Sequence, residues 1–167
     1  MALPDDHSIF PVLTELAACL CAELGQEASP CFCGVITAGM EVPVDESCES
    51  CAVGYVRLDS AFPSTVRFPE PDQDATCRAV MAFAVTVGVQ RCVPMGDDMG
   101  NPPTSEELAE YARQIFADMA VIRRAIRCCL VDSKFEDIEY VLGSYSQLSA
   151  DSGAGGGEWT LTIRERF

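Results

Sequence analysis

The segment from Thr104 to Cys129 is the feature that most limits the folds open to this chain. Thr104 and Glu107 form a capping box after two prolines, a pattern that marks the start of a helix. Acidic side chains occupy the first turns and arginines occupy the last ones, so both groups complement the helix dipole. The sequence predicts one helix of about 26 residues, roughly 39 Å long. Apolar side chains three or four residues apart define its buried face: Leu108, Tyr111, Ile115, Met119, Ile122, Ile126 and Cys129.

The remaining segments predict a second, shorter helix and several strands. Apolar residues on one helical face predict a helix over about residues 8–24. In the segment 79–93, large apolar residues alternate with Ala, Thr and Gly, which is typical of a strand. We expect the backbone of a neighbouring subunit to approach its small-residue face. Further strands are predicted over about 32–42 and 52–62, and a C-terminal hairpin over about 138–167.

This order of elements predicts an α+β fold in a single domain over residues 1–167. The expected architecture is a mostly antiparallel sheet flanked by the N-terminal helix and the one long helix. With 49% hydrophobic residues, the chain has enough apolar side chains for a substantial core.

The charge of the chain excludes some classes of function. In 167 residues there are 26 acidic and 11 basic side chains, which gives a formal net charge of −15. Proteins that wrap nucleic acid need a basic face, so this balance argues against that class. There is neither a polybasic anchor nor an apolar run near the roughly 20 residues of a membrane span. The acidic start of the chain lacks the positive region of a signal peptide, so we expect synthesis in a cytoplasm.

The ten cysteines leave several interpretations open. Two close pairs offer four thiolates to a zinc ion: Cys31, Cys33, Cys48 and Cys51. Only the second pair has the usual spacing of two residues, so we favour small buried or edge residues over zinc and over disulfides in an exported particle. At the end of the long helix, Cys129 falls on the apolar face and Cys128 points away from it. We therefore expect one core cysteine and one surface thiol there.

No set of residues in the sequence indicates catalysis. His7 is the only histidine, and a Cys–His or Ser–His–Asp set would depend on it. It lies in a terminal segment, where we do not expect a firmly held base. The glycine-rich stretch Ser152–Gly157 lacks the following helix and the lysine of a phosphate loop, so we predict a flexible hairpin tip. We expect no reaction, no metal and no cofactor.

Four short segments of the chain carry a resemblance to a known family: Val87–Cys92 (VGVQRC), Arg123–Cys129 (RRAIRCC), Val141–Tyr145 (VLGSY) and Gly156–Thr160 (GGEWT). Together they resemble small neck proteins of long-tailed phages that infect actinobacteria. The resemblance extends from Cys31 to the C-terminus, although the loop Ser149–Ser152 departs from the Pro- and Gly-rich form of these proteins. The element order is similar to that of tail terminators.

The resemblance implies a virion protein of the tail–neck region that is assembled in the host cytoplasm. Such proteins form a hexameric ring that caps the tail tube, ends its polymerisation and docks the tail to the head. The implied partners are further copies of the chain, the tail tube protein and a head–tail connector or stopper protein. DNA is expected to pass through the lumen without specific binding, and no membrane is involved.

Three loops are candidates for roles in such a ring. A negative wall repels DNA phosphates, so the acidic loops are lumen or rim candidates, with ordinary solvated loops as the alternative: Glu70, Asp72, Asp74, Asp97 and Asp98. The glycine-rich tip is a candidate for docking to a partner ring: Gly153, Gly155, Gly156 and Gly157.

Two other functions remain as alternatives. A head–tail stopper or adaptor would occupy the same neck, but such proteins look more like small β-barrels or helical bundles, and the long capped helix speaks against a barrel. A small zinc-binding regulatory domain is the third hypothesis.

Overall fold

A computed structural model confirms the α+β class, with five strands and two helices in the described part of the chain. It describes residues 9–26, 29–40, 48, 50–76, 79–96, 99–131, 138–150 and 153–164. The elements are α1 (Phe10–Leu24), β1 (Phe32–Thr37), β2 (Ala52–Ser64), β3 (Val80–Cys92), α2 (Ser105–Val131), β4 (Tyr140–Leu148) and β5 (Ala154–Arg164).

The five strands form one sheet in the order β1-β2-β3-β5-β4. Only the β1–β2 pair is parallel, and the other three pairs are antiparallel. The 13-residue β3 lies at the centre, and β1 and β4 form the two edges. The first predicted strand is too long, because the chain turns at Ala38 and Gly39, where Gly39 adopts a φ of +83°.

The shorter helix packs one apolar face on the sheet, as its spacing predicts. Leu13, Leu16, Leu20 and Leu24 are all buried in the core between the two helices and the sheet. The helix begins at Phe10, with Ile9 in the N-cap position and Pro11 in the first turn, where a missing N–H costs least.

The long helix begins with the predicted capping box. The Glu107 backbone N–H donates to the Thr104 hydroxyl at 3.2 Å, and the Thr104 backbone N–H donates to Glu107 Oε2 at 2.7 Å. This backbone hydrogen bond, and then the Thr104 hydroxyl, lower the pKa of Glu107. The helix ends at Val131, and its buried stripe is confined to the later turns, because Leu108 remains 47% exposed.

Neither of the two helices in the described residues combines the length and apolar character needed to cross a bilayer.

The alternation along β3 has a different cause from the one expected. Val85, Val87 and Val89 face the helices and belong to the core. On the opposite face, Gly88 lies directly beneath the ring of Tyr55 from the adjacent strand, and a Cβ atom there would clash with that ring. At Gly88 the small-residue face therefore accommodates a side chain of the same chain, whereas the approach of a neighbouring subunit to the rest of this face stays a prediction.

A buried ion pair joins α2 to the centre of the sheet. Both carboxylate oxygens of Asp118 accept hydrogen bonds from Arg91, at 2.6 and 2.7 Å, and the Asp118 side chain is 1% exposed. Burial, followed by the negative charge of Asp118, raises the pKa of Tyr111 and of Tyr145. The pair fixes the position of α2 over β3 and β5 and so sets the geometry of the surface between α2 and β5.

Candidate interaction surface

Eight cysteines form four disulfides, so our preference for small buried residues is wrong. The Cα–Cα distances are 5.6 to 6.1 Å, within the range that a disulfide requires. Two bridges join α1 to α2 and α1 to β1. The other two join the residue before β1 to the loop before β2, and the residue before β2 to the end of β3. The pairs are Cys19–Cys129, Cys21–Cys33, Cys31–Cys48 and Cys51–Cys92.

The four zinc candidates are divided among three different bridges. Cys31 pairs with Cys48, whereas Cys33 of β1 pairs with Cys21 of α1. Cys51 reaches the end of β3. Because each of these sulfur atoms is bonded to another cysteine, the four do not converge on one ion. The zinc interpretation is therefore overturned.

The two cysteines at the end of α2 differ as expected. Cys129 is buried, although it is bridged to Cys19 rather than being a free core residue. Cys128 is an exposed free thiol.

The glycine-rich stretch is part of a strand, which corrects the predicted flexible tip. Gly155, Gly156 and Gly157 are buried in β5 and pair with Arg91, Gln90 and Val89 of β3. Of the four docking candidates, only Gly153 lies before the strand, with a φ of +79°.

Aromatic rings explain why glycines occupy that strand. The hydroxyl of Tyr111 on α2 lies where a Cβ of Gly155 would stand, and the ring of Tyr145 on β4 does so at Gly157. The Tyr145 hydroxyl is buried and has no hydrogen-bond partner among the described residues.

The acidic loop between β2 and β3 is folded back on itself. Asp72 N–H donates to Pro63 O at 2.8 Å, and Thr65 N–H donates to Glu70 O at 2.9 Å. The Asp72 carboxylate accepts the N–H of Asp74 at 3.1 Å. Glu70 and Asp74 are exposed, and within the described residues neither makes an ion pair. The other two acidic candidates, Asp97 and Asp98, lie outside the described residues, as does His7.

A polar cluster ties three strands together on the face without helices. Tyr55 donates to Glu158 at 2.9 Å, and the guanidinium of Arg57 lies 2.6 Å from Asp59 and 3.7 Å from Glu158. Thr86 also donates to Asp59. Burial, and then the nearby Glu158 carboxylate, raise the pKa of Tyr55, so its hydroxyl keeps its proton. Arg57 contacts both carboxylates, which suits bracing of the sheet better than acid–base chemistry.

A groove of about 430 Å³ between α2 and β5 carries a concentration of positive charge. We call it the arginine groove; it is lined by Met119, Ala120, Arg123, Arg124, Arg127 and Trp159. The indole N–H of Trp159 donates to Met119 O at 3.2 Å, which seats the ring against α2. Arg124 pairs with Glu23 of α1 at 3.0 Å. Among the described residues, Arg123 and Arg127 have no ion-pair partner.

The sequence does contain a signal for this groove, which is the spacing of two arginines on α2. Arg123 and Arg127 are four residues apart and share one face of α2. We assigned them to the helix dipole, and only the position of Trp159 beside them reveals a groove.

Comparison of the sequence with protein-family models and with characterised proteins gives no match.

Proposed function

We propose that this chain is a structural protein of a phage neck, a tail terminator that forms a six-membered ring on the end of the tail tube. In this role it ends tube polymerisation and presents a docking surface to the head connector or stopper. It carries out no reaction and needs no cofactor. It would act in the virion after assembly in the host cytoplasm.

The observation that carries the proposal is the convergence of the four segments on which the resemblance rests. They lie in β3, the later turns of α2, β4 and β5; the three strands are neighbours in the sheet, and α2 packs on β3 and β5. Val87 pairs with Trp159, and Tyr145 pairs with Trp159 at a ring-centroid distance of 5.7 Å. Segments distributed from residue 87 to residue 160 thus lie next to one another, with the helix packed on two of the three strands, which supports a shared scaffold.

The architecture favours a terminator over the other neck proteins we considered. A single open sheet with helices on one face differs from both a closed barrel and a helical bundle. Its two edge strands, β1 and β4, offer unpaired backbone groups to neighbouring subunits.

The charge and the disulfides suit a particle through which DNA passes and which leaves the cell. Six copies would carry about six times −15, roughly −90, and a negative lumen lets DNA slide without sticking. Glu70, Asp72 and Asp74 are the lumen or rim candidates that the structure describes. Disulfides form and persist in an oxidising extracellular medium, so four of them suit a protein of a released particle.

Cryo-electron microscopy of tails assembled with this protein tests the proposal directly. We expect one ring of six copies between the last tube ring and the head connector. Twelve copies, a single copy, or a position next to the portal instead of the tube would refute it. Tails assembled without the protein should vary in length, and tails of uniform length would also refute the proposed role in termination.

A further inference from the structure

We infer that the arginine groove of one subunit receives the acidic loop of the next copy in the ring. The acidic loop is the segment from Pro69 to Asp74. The inference rests on the proposed ring function, and it assigns the contact by which neighbouring copies recognise each other. It places Glu70 and Asp74 at the subunit contact on the rim rather than on the wall of the lumen.

The chemistry of the groove selects an anionic, partly apolar occupant. Arg124 is engaged by Glu23, but Arg123 and Arg127 point into the groove without an ion-pair partner among the described residues. Guanidinium groups bind carboxylates with two parallel hydrogen bonds, a geometry that fixes orientation as well as charge. Met119 and Trp159 add an apolar floor. A groove of about 430 Å³ accommodates a few side chains of a loop.

The acidic loop has the complementary properties. Glu70 and Asp74 are exposed and have no ion-pair partner among the described residues. The backbone contacts that Asp72 and Thr65 make hold the loop in one shape. A loop that is already ordered loses little conformational entropy when it binds.

The acidic loop and the arginine groove lie on different elements of the fold, so the loop of one copy can contact the groove of another. The loop connects β2 to β3, whereas the groove is built from α2 and β5, so no residue belongs to both. Two different patches that complement each other give a head-to-tail contact, and such contacts build rings when the rotation closes. The net charge of −15 disfavours nucleic acid as the occupant.

Charge reversal on each side tests the contact. The groove variant R123E/R127E has an acidic groove facing an acidic loop, and the loop variant E70R/D74R has a basic loop facing a basic groove. We expect each variant alone to lose ring assembly on tails by at least about tenfold, because like charges face each other. A chain that carries all four substitutions should assemble again. An equimolar mixture of the two variants should also assemble, since six alternating subunits satisfy every contact.

The variant R113E is the matched control, because Arg113 lies on the same helix but outside the groove and is 72% exposed. It should assemble like the unmodified chain. Thermal melting of every variant without reductant checks that the fold is retained.

The outcomes separate this inference from the proposed function. If the unmodified chain forms no ring, the proposed function fails. If it forms a ring and R123E/R127E does so equally well, the groove contact is refuted while the function stands. Failure of both the fourfold variant and the mixture to assemble would also refute the contact. So would a chemical-modification experiment in which inorganic phosphate or a short oligonucleotide protects Arg123 and Arg127 from an arginine-specific reagent but a peptide of residues 68–76 does not.

Discussion

Removing the bridge between Cys19 and Cys129 tests how much this fold depends on its crosslinks. This bridge spans a sequence separation of 110 residues, whereas the bridge between Cys21 and Cys33 spans 12. A crosslink stabilises a protein chiefly by lowering the entropy of the unfolded chain, and the effect grows with the logarithm of the loop length. Counted along the chain, the two loops predict contributions of about 4.8 and 2.8 kcal/mol.

The other three bridges shorten the longer loop in the unfolded, oxidised chain. The shortest path crosses all of them and leaves about 44 residues of free chain, which reduces the expected contribution to about 4.0 kcal/mol. The variant C19A/C129A should therefore lose about 1.2 kcal/mol more stability than C21A/C33A. The free segments of this path are Cys19 to Cys21, Cys33 to Cys31, Cys48 to Cys51 and Cys92 to Cys129.

The assay is unfolding in guanidinium chloride without reductant, followed by the fluorescence of Trp159, the single tryptophan. The control is C128A, since Cys128 is exposed and forms no bridge; its effect should stay within about 0.5 kcal/mol. Equal losses from the two bridges would refute the reasoning from chain entropy. A difference near 2 kcal/mol would show instead that the other bridges do not shorten the loop.

Two further substitutions test the core and the start of the long helix. Asp118→Ala leaves Arg91 buried without its carboxylate partner, so we expect a loss of about 3–5 kcal/mol in the free energy of unfolding; a loss below 1 kcal/mol would contradict this. A carboxyl titration by NMR should find the pKa of Glu107 below its ordinary value, and should find it only partly raised towards that value in Thr104→Ala, which removes the hydroxyl but keeps the backbone N–H. Because the folded-state pKa is the lower one, the contribution of this cap to stability is present above the unfolded-state pKa and is lost as the pH falls through the folded-state pKa. A Glu107 pKa at its ordinary value in the unmodified chain would refute the capping hydrogen bonds.

The features that sequence predicted well are those that depend on neighbours along the chain. The capping box at Thr104 and Glu107 uses two residues three positions apart, and the structure confirms its hydrogen bonds. The leucine spacing of α1 and the alternation in β3 depend on helix and strand periods, which are local properties. The fold class follows from these elements and their order.

The features that sequence missed depend on partners distant in the chain. Four bridges among eight cysteines allow 105 pairings, and spacing alone does not choose one. Gly155 and Gly157 resemble turn residues until the rings of Tyr111 and Tyr145, from α2 and β4, occupy the space above them. The arginine groove was missed for the same reason, because Trp159 completes it from a strand more than 30 residues after the helical arginines.

The positions of the disulfides divide the molecule into two parts with different roles in the proposed ring. Every cysteine precedes β4 in the chain, so β4 and β5 contain no crosslink, while α1, β1 and the end of β3 are all bridged. Strand pairing of β5 with β3 and the hydrogen bond from Trp159 to Met119 O hold the uncrosslinked part in place. That part contains edge strand β4 and one wall of the arginine groove, whereas edge strand β1, the acidic loop and the arginines of α2 lie in the crosslinked part, so both parts supply surfaces that we assign to neighbouring subunits. A crosslinked half that resists unfolding and an uncrosslinked half that adjusts to its neighbours would let each subunit enter the ring without loosening its own core.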